Sequence, residues 1–223
     1  MAHKHVVTEA QVRSAHRAGR KTLRVPAGAI VTPLARDTAR DLGVSLQSEA
    51  AVPTTGPSRR TDLPKIASPG RLALGSDHGG FDLKRELTPV IQDLGWTVVD
   101  VGTTSDAACD YPDFAFAVGR AVAAGDCQVG IMIDGAGIGS AIVCNKIPGV
   151  RAACAYNEFT AWNARAHNNA NVLTLGSRTL GIEVVKGVVK VFLGTPFEGG
   201  RHGRRVDKIA DVESRYSERG DRT

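Results

Sequence analysis

From Arg71 onward the chain alternates short apolar runs with stretches of helical pattern, and this alternation constrains the fold more than any other feature. The apolar runs are four or five residues long, which suits strands buried on both faces of a sheet. They span Leu72–Gly75, Trp96–Asp100, Val129–Ile133, Arg151–Ala155 and Val172–Leu175. Helices are predicted over Phe81–Leu94, Phe114–Ala124, Ile138–Asn145, Glu158–Ala166 and Leu180–Phe192. Strands that alternate with helices predict right-handed βαβ crossovers, and therefore an α/β fold with a doubly wound, five-stranded parallel sheet.

A composition shift divides the chain before this sheet begins. Residues 47–69 are rich in Pro, Ser, Thr and Arg and have little apolar periodicity, which predicts a linker. The linker separates a small helical accessory segment, residues 1–46, from a larger domain, residues 70–223. The accessory segment is shorter than most units that fold unaided, so we expect it to dock on something. The sequence indicates no internal repeat.

The accessory segment carries helix signals of its own. Thr8 and Gln11 fit a capping box, and Gly19 follows as a residue that could end the helix. Leu23 and Val25 suggest a short extended piece. Thr32 before Pro33 is typical of an N-cap and first helical residue, and Gly43 follows that second helix.

Charge and cysteine spacing exclude several classes of protein. The chain has 28 Lys and Arg against 23 Asp and Glu, but the excess lies before residue 61, so a nucleic-acid-coating domain is not expected. The apolar runs are too short for a membrane span, and the N-terminus lacks the apolar core of a secretory signal. We therefore expect a cytoplasmic protein. Cys109, Cys127, Cys144 and Cys154 have no CxxC spacing, which predicts neither a disulfide framework nor a metal site.

Polar residues follow nearly every predicted strand, where the active crevice of a doubly wound sheet is expected. They stand at Asp77–His78, Asp110–Tyr111, Asp134–Ser140, His167–Asn171 and Gly176–Arg178, with further cations at Arg201, Arg204 and Arg205. Amides of the glycine loop, Gly135–Gly139, can gather around an anion as the chain enters a helix. A dinucleotide fingerprint needs glycine at position 140, which is Ser140, so a nicotinamide-dependent dehydrogenase is excluded.

Jointly these motifs resemble the ribose-5-phosphate isomerase B family, which includes the galactose-6-phosphate isomerase subunits. The resemblance runs in order across residues 71–218, through Gly75–Phe81, Asp110–Pro112, Gly135–Gly139, Asn145–Arg151, His167–Asn171, Gly176–Arg178 and Glu198–Val206. It implies a cofactor-free and metal-free aldose–ketose isomerase on a Rossmann-like or flavodoxin-like three-layer sandwich. It also implies a homodimer, in some members paired into a tetramer, with active sites at the subunit interface.

The resemblance also implies roles for individual residues. Asp77 would hold the ring oxygen or a hydroxyl of the sugar, and His167 would assist ring opening. The phosphate would be gripped by His78, Arg178, Arg201 and Arg205, some of them from the neighbouring subunit. The sugar site would be lined by Tyr111, Asn168 and Asn171. The enediolate oxygen would be stabilised by the loop at Gly135, Gly137, Ile138 and Gly139.

One position departs from the family pattern. Many members carry a cysteine base where this chain has Asp134, and others carry a glutamate where it has Ser140. A carboxylate can remove a proton from carbon when burial raises its pKa, so we predict Asp134 as the general base. Two alternatives stay open: Asp134 only caps the glycine loop, or the protein is a sugar-phosphate sensor that binds without catalysis.

The accessory segment has a resemblance of its own. Arg24–Asp37 and Leu42–Val44 are similar to a short element of some bacterial microcompartment-associated proteins. That similarity implies that the segment docks on a shell or cargo protein, and that the isomerase works inside a bacterial microcompartment.

Overall fold

The computed structural model describes residues 2–3, 5–48 and 68–217. Residues 49–67, and with them most of the predicted linker, lie outside the described residues. The accessory segment contains strands as well as the two expected helices. Its elements are β1 (Ala2–His3), β2 (Val6–Val7), α1 (Glu9–Arg17), β3 (Thr22–Val25), β4 (Ile30–Val31), α2 (Pro33–Asp41) and β5 (Ser45–Ser48).

The predicted helix caps of this segment are confirmed. The Thr8 amide donates to Gln11 Oε1 at 3.0 Å, as the capping box requires. Thr32 Oγ1 accepts from the Ala35 amide at 3.2 Å, which satisfies a donor that the first turn of α2 leaves free. Gly19 and Gly43 follow the two helices with φ of 70° and 65°, a region that glycine enters without strain.

The accessory segment is built from two copies of one βαβ unit, so the expectation of no internal repeat was wrong. Each copy has a two-residue strand, a threonine N-cap, a nine-residue helix, a left-handed glycine and a four-residue strand. Equivalent strands pair with each other in parallel, with Val6 opposite Ile30 and Thr22 opposite Ser45. The repeat resides in backbone conformation and caps, which many residue types satisfy, and few side chains are shared between the copies.

The larger domain has the predicted doubly wound sheet. Its elements are β6 (Arg71–Ser76), α3 (Phe81–Asp93), β7 (Thr97–Asp100), α4 (Tyr111–Ala123), β8 (Val129–Asp134), α5 (Ile138–Cys144), β9 (Ala152–Cys154), α6 (Glu158–Ala166), β10 (Val172–Gly176), α7 (Ile182–Gly194) and α8 (Arg201–Ser217). The strand order is β7-β6-β8-β10-β9, and every pair is parallel. The five predicted strands are thus confirmed, and β1 adds a short sixth strand beside β7.

Strand residues alternate between two cores, one on each face of the sheet. Leu74 and Ile131 face the layer formed by α3, α6 and α7, where Phe192 is buried. On the other face Ala73 and Met132 pack against α4 and α5. Both faces are covered, which explains why the strand sequences are continuously apolar.

Helix α8 was not predicted, because residues 199–205 were interpreted as the start of an irregular tail. Gly199 and Gly200 both have positive φ and separate α8 from the preceding chain. Most of α8 is exposed, and its few apolar residues did not suggest a core-facing helix. Within the described residues, no helix combines the length and apolarity needed to cross a bilayer.

The accessory segment packs on the larger domain through three contacts. β1 pairs with β7, and Val6 and Ile30 join the core beneath α4. The Thr32 side chain hydrogen-bonds the Asp113 carboxyl on α4, and burial of that carboxyl raises its pKa despite the hydrogen bond. These contacts attach the accessory segment to the larger domain, and its docking on another protein stays a prediction.

Candidate functional site

Two buried carboxyl groups meet where β6 and β8 end. Ser76 pairs with Ile133 in these neighbouring parallel strands, and Asp77 and Asp134 are the next residues. Asp77 is 7% exposed, and it caps the short turn His78–Gly80 by accepting from the Gly80 amide at 3.0 Å. Burial raises the pKa of Asp77, and the charge of Asp134 raises it further, against the lowering effects of the Gly80 amide and His78.

Asp134 is 5% exposed, and the loop that follows it surrounds its carboxylate with hydrogen-bond donors. One oxygen accepts from the amides of Ala136, at 2.7 Å, and Gly137. The other accepts from the Ser140 amide at 3.2 Å and from the Ser140 hydroxyl. A carboxylate has about four lone-pair positions, so these donors use its whole accepting capacity. The glycine loop therefore closes around Asp134.

Residues of neighbouring loops lie beside the two carboxyl groups at this end of the strands. His78 Nδ1 lies 3.2 Å from the Cys109 amide nitrogen and 3.1 Å from the Cys109 carbonyl oxygen. The Tyr111 ring lies so close to the glycine loop that a Cβ on Gly139 would be 2.6 Å from Cζ of Tyr111. The Arg178 amide donates to the Gly135 carbonyl at 3.1 Å. Five predicted site positions thus lie together with Asp77 and Asp134.

Not all of the predicted loop donors point outward. The Gly137 amide turns back to Asp134, because a positive φ of 80° reverses the chain there. The amides of Gly135, Ile138 and Gly139 are the loop donors that Asp134 does not use. These three are the amides available to an anion or an enediolate at this edge.

His167 belongs to a second cluster, at the end of α6. Its Nδ1 lies 3.0 Å from Asn163 Nδ2, and its Nε2 lies 3.5 Å from Glu198 Oε2. An accepting Nδ1 leaves the proton on Nε2, directed toward Glu198. The ring stacks on His202 with centroids 3.9 Å apart, and Trp162 packs edge-on at 4.8 Å. Asn168 is tied to Asn163, donating to its carbonyl at 3.2 Å.

His202 is a site residue that the sequence prediction missed, although it lies inside one of the quoted motifs. It is only 5% exposed, and Arg201 Nε donates to its Nε2 at 3.2 Å. Burial lowers the pKa of His202, and the neighbouring His167 and Arg201 lower it further, against the raising effect of Glu198. A neutral ring is therefore favoured against His167. In the sequence His202 stands among arginines, and such a basic stretch suggested a solvated surface.

The two clusters lie at opposite ends of the parallel strands of the sheet. Gly176 pairs with Asp134, whereas Val172 pairs with Gly130, four residues earlier on each strand. At about 3.3 Å per residue, the Val172 and Gly176 positions are about 13 Å apart along the strand. His167, Asn168 and Asn171 all precede Val172, because a crossover helix returns the chain to the beginning of the next strand. Within one protomer these three residues therefore lie at the other end of the strands from Asp77 and Asp134.

Some of the remaining predicted residues lie at one end of the strands and some at the other. The Asn171 side chain joins two backbone segments, since its Oδ1 accepts from the Arg151 amide at 2.7 Å and its Nδ2 donates to the Gly149 carbonyl at 2.9 Å. Both ends of this side chain are thus used within the fold. Arg178 lies with Asp134, whereas Arg201 and Arg205 lie on the first turns of α8, which begins beside His167.

His167, Glu198 and His202 are close enough to be considered as metal ligands, with candidate atoms within 4.8 Å of one another. Their geometry does not suit an ion. The two imidazole rings are within 8° of parallel and stacked, so their in-plane lone pairs cannot converge on one point. Arg201 also faces His202 Nε2. The trio is better described as a hydrogen-bonded and stacked support for His167.

Comparison with known proteins covers the larger domain. A family described as Ribose/Galactose Isomerase matches residues 72–209. Ribose-5-phosphate isomerase B of Escherichia coli is 43% identical over 145 residues, 65% of this chain and 97% of that protein. D-erythrulose-4-phosphate isomerase of Pectobacterium atrosepticum is 38% identical, over 64% of this chain and 94% of that protein. The crystal structure of ribose-5-phosphate isomerase B from Mycoplasma genitalium with bound ribulose-5-phosphate matches with a TM-score of 0.62 and 43% identity, over 65% of this chain and 97% of that one.

Proposed function

This chain belongs to the ribose/galactose isomerase family, and we propose that it interconverts ribose 5-phosphate and ribulose 5-phosphate through an enediol. It is an aldose–ketose isomerase acting on a sugar phosphate, as its relatives are. The observation that carries the proposal is the pair of buried carboxyl groups, Asp77 and Asp134, beside a loop with outward amides. A tetrose or hexose phosphate is the alternative substrate class, because one similar relative is named for erythrulose 4-phosphate.

The chemistry moves one proton between adjacent carbons. A base removes the C2 proton of the open-chain aldose, and the electron pair forms the C1–C2 double bond while the carbonyl oxygen becomes an oxyanion. In this proposal the amides of Gly135, Ile138 and Gly139 donate to that oxygen. The same base returns the proton to C1, and a proton passes from the C2 hydroxyl to the C1 oxygen, which yields the ketose. Asp77 has a raised pKa, which suits a carboxyl group that holds a sugar hydroxyl.

Asp134 is the base in this proposal, acting through the oxygen that faces Ser140. Three of its four donors are backbone amides, which the loop holds in place. The fourth is the Ser140 hydroxyl, which can rotate about its χ1 bond and release a lone pair. Substrate binding would need to turn only this one donor away.

We propose a homodimer, or a tetramer made of such dimers, in which each active site uses both subunits. The separation of the two clusters supports it, since His167, Arg201 and Arg205 cannot reach Asp134 within one protomer. Exposed apolar side chains supply a surface for a second copy: Ile142 is 57% and Phe159 68% exposed, and α8 presents Ile209, Val212 and Tyr216.

If each active site uses residues of both subunits, a dimer made from two different inactive variants should recover activity. Asp134→Asn and Arg205→Gln subunits are mixed by co-expression, each carrying a different tag so that hybrid dimers are purified. Half of the sites in a purified hybrid dimer combine an intact Asp134 with an intact Arg205 from the other subunit, so the hybrid should show about half of parental turnover. If both residues serve a site within one protomer, every site is damaged and the mixture stays as inactive as the separate variants.

A sugar-phosphate sensor is the second candidate function, and the four donors on Asp134 favour it, because a fully hydrogen-bonded carboxylate resembles a cap more than a base. Proton exchange distinguishes the two functions. The protein is incubated in heavy water with ribose 5-phosphate, erythrose 4-phosphate and allose 6-phosphate, and NMR follows the carbon next to the carbonyl. Deuterium in one sugar establishes isomerisation and its substrate. Saturable binding without exchange in any sugar would favour the sensor.

The setting of the enzyme in the cytoplasm, or in a bacterial microcompartment, stays a prediction from the sequence, as does docking on a shell or cargo protein. Residues 1–71 lie outside the family match, which supports a role for the accessory segment separate from isomerisation.

A further inference from the structure

The first βαβ copy of the accessory segment contains a cavity of about 180 Å³. Val7 and Leu23 give it an apolar floor, and Gln11 and Ser14 of α1 line one side. His5, Arg20 and Arg24 supply its charged and titratable groups. The lining residues of this cavity precede both catalytic clusters in the sequence, and they lie outside the part of the chain that matches the isomerase family.

The second copy shows what these positions hold when they serve only the fold. Gln11 corresponds to Ala35, Ser14 to Thr38 and Arg20 to Val44, counting from the equivalent N-caps and glycines. Ala35, Thr38 and Val44 are buried, whereas their counterparts in the first copy are exposed. The same backbone is therefore closed by small or apolar side chains in one copy and left open with polar and cationic side chains in the other.

The cavity lies within the most basic stretch of the accessory segment. Arg17, Arg20, Lys21 and Arg24 fall within eight residues. The ion pairs found in the described part of the segment, Arg13–Glu9 and Arg40–Asp37, involve none of these four cations. Their charge is thus available to an anionic partner.

Strand β3 adds a means of holding an extended chain. It pairs with β5 along one edge, and among the described residues no strand occupies its other edge. A free strand edge can accept main-chain hydrogen bonds from an added strand, while alternate side chains enter neighbouring pockets. We infer that this cavity and edge bind an extended acidic peptide of a partner protein, with carboxylates on Arg20 and Arg24 and an apolar side chain on Val7 and Leu23. The inference gives the proposed docking role a surface and does not depend on isomerisation.

The test uses a fluorescein-labelled ten-residue peptide of alternating glutamate and valine, followed by fluorescence anisotropy with the full-length protein. We expect saturable binding that weakens with salt, and no binding of the matching lysine–valine peptide. The double variant Arg20→Gln, Arg24→Gln should weaken binding by about tenfold or more. The matched control, Arg36→Gln, Arg40→Gln, removes the same charge from the second copy and should change affinity less than about twofold. Both variants should keep parental isomerase turnover and parental thermal unfolding, which together verify folding of both parts of the chain.

Three outcomes would overturn the inference. One is no saturable binding of the acidic peptide at millimolar protein. Another is an equal loss of affinity in both double variants, which would mean that only net charge attracts the peptide. The third is displacement of the peptide by free glutamate or inorganic phosphate at equal concentration, which would assign the cavity to a small anion. None of these results bears on turnover, so the proposed isomerase activity is judged separately.

Discussion

Asp134→Asn is expected to lower the turnover of ribose 5-phosphate by about 10²–10⁴-fold, because the amide cannot take a proton from carbon. The phosphate-gripping residues are untouched, so sugar-phosphate binding should survive. Turnover is measured by steady-state kinetics, and binding by calorimetry with ribose 5-phosphate itself, which the variant converts only slowly. Unchanged turnover in this variant would contradict the assignment of Asp134 as base.

A second variant separates the base from the cap. An asparagine at 134 also directs its N–H₂ group at two of the four donors, so its loss of activity has a structural explanation as well as a chemical one. Asp134→Cys loses more of these hydrogen bonds than the asparagine variant does, but it supplies the base that many family members carry. If Asp134 is the base, the cysteine variant should turn over at least about tenfold faster than the asparagine variant. If Asp134 is only a cap, the cysteine variant should be no faster than the asparagine variant and at least as destabilised in thermal unfolding.

His167→Asn is expected to slow ribose 5-phosphate by about 10²–10⁴-fold and to leave erythrose 4-phosphate nearly unaffected. Ribose 5-phosphate is mostly a ring closed through its C4 oxygen, and an acid–base group must open it. In erythrose 4-phosphate that oxygen carries the phosphate, so no such ring forms. An imidazole held by Asn163, Glu198 and His202 is placed to move this proton.

The comparison requires parental turnover of both sugars, which the exchange experiment measures first. His16→Asn is the matched control, since His16 is an exposed histidine on α1, outside both clusters, and its loss should change neither rate. An equal fall on both sugars in the His167 variant would mean that His167 serves the proton shift or the fold, and would remove the ring-opening role. A fall confined to ribose 5-phosphate would support it.

Much of the sheet could be predicted because each strand is buried on both faces and carries its own continuous apolar signal. Predicted helices over Phe81–Leu94 and Glu158–Ala166 match the observed Phe81–Asp93 and Glu158–Ala166 closely. Helix α8 escaped prediction because residues 199–205 were interpreted as a tail, although the sequence that follows is amphipathic. The repeat in residues 5–48 escaped because caps and left-handed glycines recur there while the side chains between them differ.

The sequence by itself determined which residues end each strand, and the chemistry that those residue types allow, because both depend on local patterns along the chain. Only the tertiary structure decided where those residues meet. Parallel strands bring Asp77 and Asp134 to one end of the sheet, while the crossover helix α6 carries His167 to the opposite end of the strands. The loop geometry likewise decided that Asp134 accepts four hydrogen bonds. Spacing in a sequence measures only distance along the chain. Whether two residues are in contact depends on the direction of the strands and on how the loops between them close.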